Sequence, residues 1–270
     1  MAFIAAFLYV PAMTEPPNDP APGDRTTHFG YRTVDEDEKA HLVRGVFDSV
    51  ASKYDLMNDL MSAGVHRLWK STMVDWLSPR PGQSIVDVGG GTGDIAARIL
   101  ARAGDGAGPV TVCDINHEMI AVGRDRAIDA GRLEGIRWVC GDAEKLPFPD
   151  MSFDAYTIAF CLRNVTRIDA ALGEARRVLK PGGRFACLEF SRVVAPVLDK
   201  IYDAYSFTVL PALGSLVTGD AEAYRYLAES IRKFPSQSEL LARMTAAGLK
   251  ECKMRNLSGG IAALHSGWRV

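Results

Sequence analysis

Two aspartates and four glycines crowd one short stretch, Asp87-Val88-Gly89-Gly90-Gly91-Thr92-Gly93-Asp94, directly after an apolar run. The pattern is D-x-G-x-G-x-G at a strand-to-helix turn. Glycine suits that position because the backbone must turn tightly and approach a ligand with no Cβ atom in the way. Asp87, Gly89, Gly91, Thr92 and Gly93 are therefore the first candidates for holding a nucleotide-type cofactor.

Which cofactor follows from the next position. A dinucleotide fingerprint, G-x-G-x-x-G counted from Gly89, would need glycine where Asp94 stands. An aspartate there would face the pyrophosphate that a helix N-terminus binds. A ligand carrying a sulfonium and an ammonium is easier to reconcile with it, which favours S-adenosylmethionine over NAD. Asp114, followed by Ile115, ends the next apolar run, where a carboxylate can accept both hydroxyls of a ribose. Gly141-Asp142-Ala143 ends the run after that, placing a carboxylate and a backbone N–H where an adenine can be read.

These positions need a scaffold, and the sequence supplies one. Apolar runs at 84–88, 110–115, 136–140, 153–160 and 184–190 alternate with helical stretches at 94–103, 116–130 and 167–179. Such alternation predicts an α/β domain with a parallel sheet and helices on both faces. The cofactor candidates then lie at strand C-termini, where open α/β sheets bind ligands. Residues 236–247 read as one further helix. Residues 249–257 and 261–268 read as a closing antiparallel hairpin around Gly259-Gly260. Residues 1–25 read as a disordered tail, 26–270 as one domain, 26–80 as an N-terminal helical cap and 195–235 as a helical lid.

Composition sets outer limits. The chain has 270 residues, is 47% hydrophobic and 24% charged, and carries a net charge of -2. No basic footprint points to a nucleic-acid partner. Its cysteines, at 113, 140, 161, 187 and 252, form no C-x-x-C pair. They read as buried thiols of a reduced, cytoplasmic compartment, and no His, Cys and carboxylate set has metal-ligand spacing. The apolar stretch 1–10 falls short of the roughly 20 residues of a membrane span and lacks the basic flank of a secretory signal.

Two further segments carry a resemblance. The first is Tyr54-Asp55-Leu56-Met57-Asn58 with Met61-Ser62, His66 and Trp69, the pattern YDxMNxxMSxxxHxxW. The second runs from Arg177-Val178-Leu179-Lys180-Pro181-Gly182-Gly183 to Leu188-Glu189-Phe190-Ser191. With them the chain resembles the ubiquinone/menaquinone biosynthesis C-methyltransferases, the UbiE family, over all but its first 25 residues. The resemblance implies a class I, Rossmann-like methyltransferase fold with a seven-stranded, mostly parallel sheet. It also implies cofactor contacts at Thr92, Asp114, Asp142 and Ala143. At Ala159 the family often has serine, so one hydrogen bond to the cofactor is expected to be missing, a loss of about 0.5–1.5 kcal/mol.

The implied reaction places a methyl group on a ring carbon of a reduced, polyprenylated quinol, after which a ring proton leaves. Arg163 is expected to stabilise the developing quinolate or to orient a water, and Asn164 to position the ring. Tyr54, Asp55, Asn58 and His66 are expected to close over the site, His66 as a candidate proton shuttle. The apolar, aromatic segment 201–217, which contains Tyr205, is expected to form a lid and a channel for the prenyl tail. The tail brings peripheral membrane contact with it, and a homodimer or a quinone-biosynthesis complex are the expected assemblies. The glycine loop does not exclude an O- or N-methyltransferase of small molecules, against which the YDxMN…HxxW segment argues. A non-catalytic subunit that binds quinol or cofactor is the other alternative, against which the glycine loop, Asp114 and Arg163 weigh.

Overall fold

A computed structural model describes residues 25–50, 59, 62, 64–104, 106–132, 134–194 and 221–270. Residues 1–24 of the expected tail lie outside this set, and so do Tyr54, Asp55, Asn58 and Tyr205 with most of the expected lid.

The centre is a seven-stranded sheet in the order β5-β4-β3-β6-β7-β9-β8. Its strands are β3 (Ile85–Val88), β4 (Val110–Asp114), β5 (Ile136–Cys140), β6 (Phe153–Ala159), β7 (Leu179–Phe190), β8 (Lys250–Leu257) and β9 (Ala262–Trp268). β3 to β7 run parallel, while β9 pairs antiparallel with both β7 and β8. The chain builds outward from β3 to β4 and β5, then returns to place β6 on β3's other side. That reversal opens a crevice at the carboxyl ends of β3, β4 and β6.

Helices cover both faces. We number them α1 (Glu36–Val50), α2 (His66–Leu77), α3 (Asp94–Ala103), α4 (His117–Asp129), α5 (Ile168–Val178), α6 (Ala221–Lys233) and α7 (Gln237–Ala246). β3 shows how the strands divide the core. Ile85 points to a cluster with Trp69 and Met73 of α2 and Ile95 and Ile99 of α3. Val86 and Val88 point to the opposite cluster with Ala171, Leu172 and Ala175 of α5. With a side-chain period of two, Asp87 shares the face of Ile85 and so sits beneath α2 and α3. α2 presents His66, Trp69, Lys70, Met73, Val74 and Leu77 to the interior, a helical stripe that contains one lysine.

Three expectations need correction. Residues 26–80 are not all helical: Thr26–Phe29 and Arg32–Asp35 form an antiparallel hairpin, β1–β2. Its turn is held by α6, since the Tyr31 N–H donates to Glu229 Oε2 at 3.0 Å and Phe29 stacks on Tyr226 at 4.1 Å. The described part of the expected lid is α6 itself, and Ala223, Tyr224, Tyr226, Leu227 and Ile231 place it in the main core. Finally, β7 begins at Leu179, before Pro181-Gly182-Gly183, and its regular parallel pairing with β6 resumes at Arg184.

All five cysteines are free; Cys113 and Cys187 are buried, and Cys140 is exposed, against the expectation of a buried thiol. Among the described residues no helix is long and apolar enough to cross a membrane. No group of three or more potential metal ligands converges there either.

Candidate functional site

The crevice holds a cavity of about 290 Å³ bounded by Asp87, Gly89 to Thr92, Asp114, Asp142 and Asn164. Its floor is the glycine loop. Gly89, Gly91 and Gly93 have φ of 61°, 51° and 78°, a backbone that side chains rarely adopt. A Cβ on Gly89 would collide with the Cys161 thiol, so the loop and the end of β6 can close together only with glycine there. Gly89→Ala is expected to cost about 1–2 kcal/mol from the left-handed backbone alone. Gly82→Ala carries the same backbone strain at a φ of 77° with open space around it. Urea unfolding should show Gly82→Ala destabilised by the backbone strain alone and Gly89→Ala destabilised further by the Cys161 collision, while titration of S-adenosylhomocysteine should show a loss of cofactor affinity only at Gly89.

The carboxylates divide the cavity by chemistry. Asp114 Oδ2 accepts from the Gly91 N–H at 2.9 Å and Oδ1 from the Asn116 N–H at 2.8 Å. Each oxygen keeps a lone pair for a ribose hydroxyl. Burial raises the Asp114 pKa while those N–H groups oppose it. Asn116 caps α4 through the Met119 N–H, and its Nδ2 donates to Asp48 Oδ1 of α1 at 2.8 Å. Asp142 Oδ1 accepts from the Glu144 N–H at 2.8 Å, with buried Ala143 beside it.

Asp87 is the most unusual group. It is 1% exposed, and its Oδ1 accepts from the Thr157 hydroxyl of the neighbouring strand at 2.7 Å. Among the described residues its Oδ2 has no hydrogen-bond partner. Burial pushes its pKa up to about 7, against the Thr157 hydrogen bond and the charge of Lys70. A buried carboxylate oxygen without a partner, on the wall of a cavity, is a place for a cationic donor. This fits the ammonium of S-adenosylmethionine, as Asp114 fits its ribose. Asp94 is not a free carboxylate facing the ligand, as its sequence position suggests. Lys70 at 2.9 Å and Arg98 at 2.8 Å neutralise Asp94 and, against burial, hold its pKa below the usual range.

The remaining candidates separate. Ile115 and Ala159 line the cavity, as does Asn164, whose Oδ1 accepts from the Tyr226 hydroxyl at 3.0 Å. Arg163 does not line it. Its guanidinium donates to Glu189 Oε2 at 2.8 Å, with side chains only 2% and 1% exposed. The guanidinium also lies 5.5 Å from the Phe190 ring centre. His66 lines a second cavity, of about 310 Å³, with Gly93, Arg98, Arg126 and Trp138. Its Nδ1 lies 2.9 Å from the Ser62 hydroxyl, and burial, then the Lys70 charge, lowers its pKa. It is a packed residue of α2 and not a member of the crevice.

Sequence reasoning missed the roof. Glu36, Asp37, Ala40, Val43, Arg44 and Phe47 of α1 face the cavity, and Lys39 Nζ donates to Val165 O at 3.0 Å. It also missed Lys70 and Glu189. Both are charged residues inside apolar patterns, a lysine on the buried stripe of α2 and a glutamate within Cys187-Leu188-Glu189-Phe190, and such a residue asks for a partner.

The profile of the ubiE/COQ5 methyltransferase family matches residues 32–269. The ubiquinone/menaquinone biosynthesis C-methyltransferase UbiE of Brucella abortus strain S19 is 57% identical over 252 residues, covering 93% of both chains. Its counterpart from Brucella anthropi is 57% identical and covers 93% of this chain and 95% of its own. Among solved structures, the YcgJ protein of Bacillus subtilis superposes with a TM-score of 0.55 at 23% identity, over 76% of this chain and 99% of its own. A SAM-dependent methyltransferase from Aquifex aeolicus gives 0.55 at 16% identity, over 74% and 89%. At those identities the two structures speak to the fold.

Proposed function

The chain belongs to the ubiE/COQ5 methyltransferase family, and from that premise we propose that it methylates a ring carbon of a polyprenylated quinol in ubiquinone/menaquinone biosynthesis. The observation that carries the site assignment is the cavity at the β3–β6 switch point. There an unpartnered Asp87 oxygen, the glycine cradle and the two oxygens of Asp114 suit successive parts of one S-adenosylmethionine molecule.

S-Adenosylmethionine supplies an electrophilic methyl group. Everything else falls to the chain. Asp142 and Ala143 take the adenine end, Asp114 the ribose and Asp87 the ammonium. α1 roofs the cavity and excludes water, a condition that favours a transfer in which the charges of a sulfonium and a quinolate cancel. Asn164 borders the cavity from the end of β6, where the acceptor ring would approach, and Tyr226 fixes its amide. Arg163 acts from behind it: the buried pair with Glu189 holds the turn Leu162–Asn164 in place. Tyr54, Asp55, Asn58 and Tyr205 complete the substrate side by resemblance. The prenyl tail keeps the acceptor in the bilayer, so the protein works at a membrane surface.

Labelled S-adenosylmethionine offered with reduced demethylmenaquinol, with 2-polyprenyl-6-methoxy-1,4-benzoquinol, and with both oxidised quinones tests the reading. Label on a ring carbon of the reduced compounds alone is the expected result and ranks the two acceptors. Binding of S-adenosylmethionine without transfer to either quinol would overturn the acceptor assignment and leave an O- or N-methyltransferase.

A further inference from the structure

Lys70 is a buried cation whose position ordinary packing does not explain. It is 5% exposed, on a helix stripe otherwise made of Trp69, Met73, Val74, Leu77 and His66. An ammonium is costly there unless it is paired. Its Nζ does donate to Asp94 Oδ2 at 2.9 Å, but Asp94 Oδ1 already accepts from Arg98 Nε at 2.8 Å. Two cations thus converge on one carboxylate. Arg98 lines the second cavity, whereas Lys70 lines the first, with Asp87 and the glycine loop.

The cavity has a direction. Asp142 and Ala143 suit the adenine end and Asp114 the ribose. Asp87 and the glycine loop are left for the amino-acid end, which carries an ammonium and a carboxylate. The cavity's other basic lining residues stand elsewhere: Arg167 is exposed and donates from Nε to Glu144 Oε2 at the adenine end, and Arg44 is exposed on α1. Lys70 is the buried cation beside the amino-acid end.

We propose that Lys70 recognises the α-carboxylate of bound S-adenosylmethionine, so that Asp87 and Lys70 together read the zwitterionic end of the cofactor. The inference rests on the assignment of S-adenosylmethionine to this cavity. Asp94 and Arg98 hold Lys70 in register: Asp94 fixes the ammonium through one oxygen, and Arg98 supplies enough charge for Asp94 that Lys70 keeps donors for the ligand. A lysine ammonium has three donors, of which the Asp94 contact uses one.

Three ligands separate this role from its alternatives. S-Adenosylmethionine has both charged groups, decarboxylated S-adenosylmethionine keeps only the ammonium, and 5′-methylthioadenosine has neither. Calorimetric titration of wild type, Lys70→Met and Lys70→Arg is done at one pH just above neutrality, where the α-amino group of the ligand is still largely protonated. Lys70→Met is expected to lose roughly tenfold or more in affinity for S-adenosylmethionine, with the other two ligands within about twofold of wild type. Lys70→Arg is expected to recover most of the loss. An equal loss for the decarboxylated ligand would mean that Lys70 acts through Asp87 or through the fold, and would overturn the proposal. Unchanged binding of all three would overturn it too. Wild-type protein that binds none of them would remove the cofactor assignment itself.

Discussion

Glu189→Ala is expected to destabilise the protein by about 3–5 kcal/mol, the cost of stripping one partner from a buried ion pair. The figure reflects what is left behind more than what is lost. Arg163 stays 2% exposed at its side chain, with an aromatic face 5.5 Å away and the Glu189 carboxylate gone. Glu189 also accepts from the Arg163 and Phe190 N–H groups, both at 3.2 Å, so the backbone of the turn and of β7 loses acceptors as well. Burial raises the Glu189 pKa and the Arg163 charge opposes it. The double variant Arg163→Met/Glu189→Leu removes both charges at similar volume, and such replacements are often neutral or stabilising. It is expected to unfold in urea within about 2 kcal/mol of wild type. If the pair also serves the chemistry, that variant folds and binds S-adenosylhomocysteine normally but transfers no methyl group. A double variant with wild-type turnover would reduce Arg163 and Glu189 to scaffolding.

The same pair shows where the sequence stops being legible. Arg163-Asn164 stands out because it follows an apolar run at the place where a ligand should lie. Its distance along the chain says nothing about which of the two enters the cavity. That depends on the turn Leu162–Asn164, which sends Asn164 to the cavity and Arg163 to Glu189 of the adjacent strand. Glu189 is close to Arg163 only because β6 and β7 pair, with Ala159 opposite Leu188. Register is a property of two strands at once. By contrast, the glycine loop, Asp114 and Asp142 are each local to one strand end, and the alternation of strands and helices orders those ends along the sheet. The hairpin β1–β2 escaped because its turn is fixed by Glu229, far along the chain, and not by its own residues. Lys70 is a lysine on an apolar stripe, and its partner Asp94 reads in sequence as facing the ligand. A charge read as free in sequence is here neutralised by a residue on another helix.

Asp87→Asn is expected to lower affinity for S-adenosylmethionine by about 10–100-fold above neutral pH, as a charge-assisted hydrogen bond contributes roughly 1.5–3 kcal/mol. It is also expected to stabilise the ligand-free protein there, and the two effects share one cause. The Asp87 pKa is about 7 in the folded chain against a reference value of 3.8. The folded state therefore binds more protons than the unfolded state between those values, so its stability falls as pH rises across that window. Below it both states are protonated and the penalty vanishes; above it the full cost of a buried carboxylate is present. Urea unfolding should show wild type and Asp87→Asn converging near pH 4 and separating towards pH 8, with the variant more stable. The ligand reverses the balance. An ammonium against the unpartnered Oδ2 favours the ionised form, so binding near pH 7 should release a proton, seen as a buffer-dependent enthalpy that the variant lacks. Wild-type affinity should rise with pH through about 7, while that of the variant stays flat. A wild-type profile as flat as the variant's would mean that Asp87 is ionised without the ligand, and the unpartnered oxygen would lose its assignment to the ammonium. The carboxylate is thus a strained element of the ligand-free fold, and the cationic end of the cofactor is what relieves it.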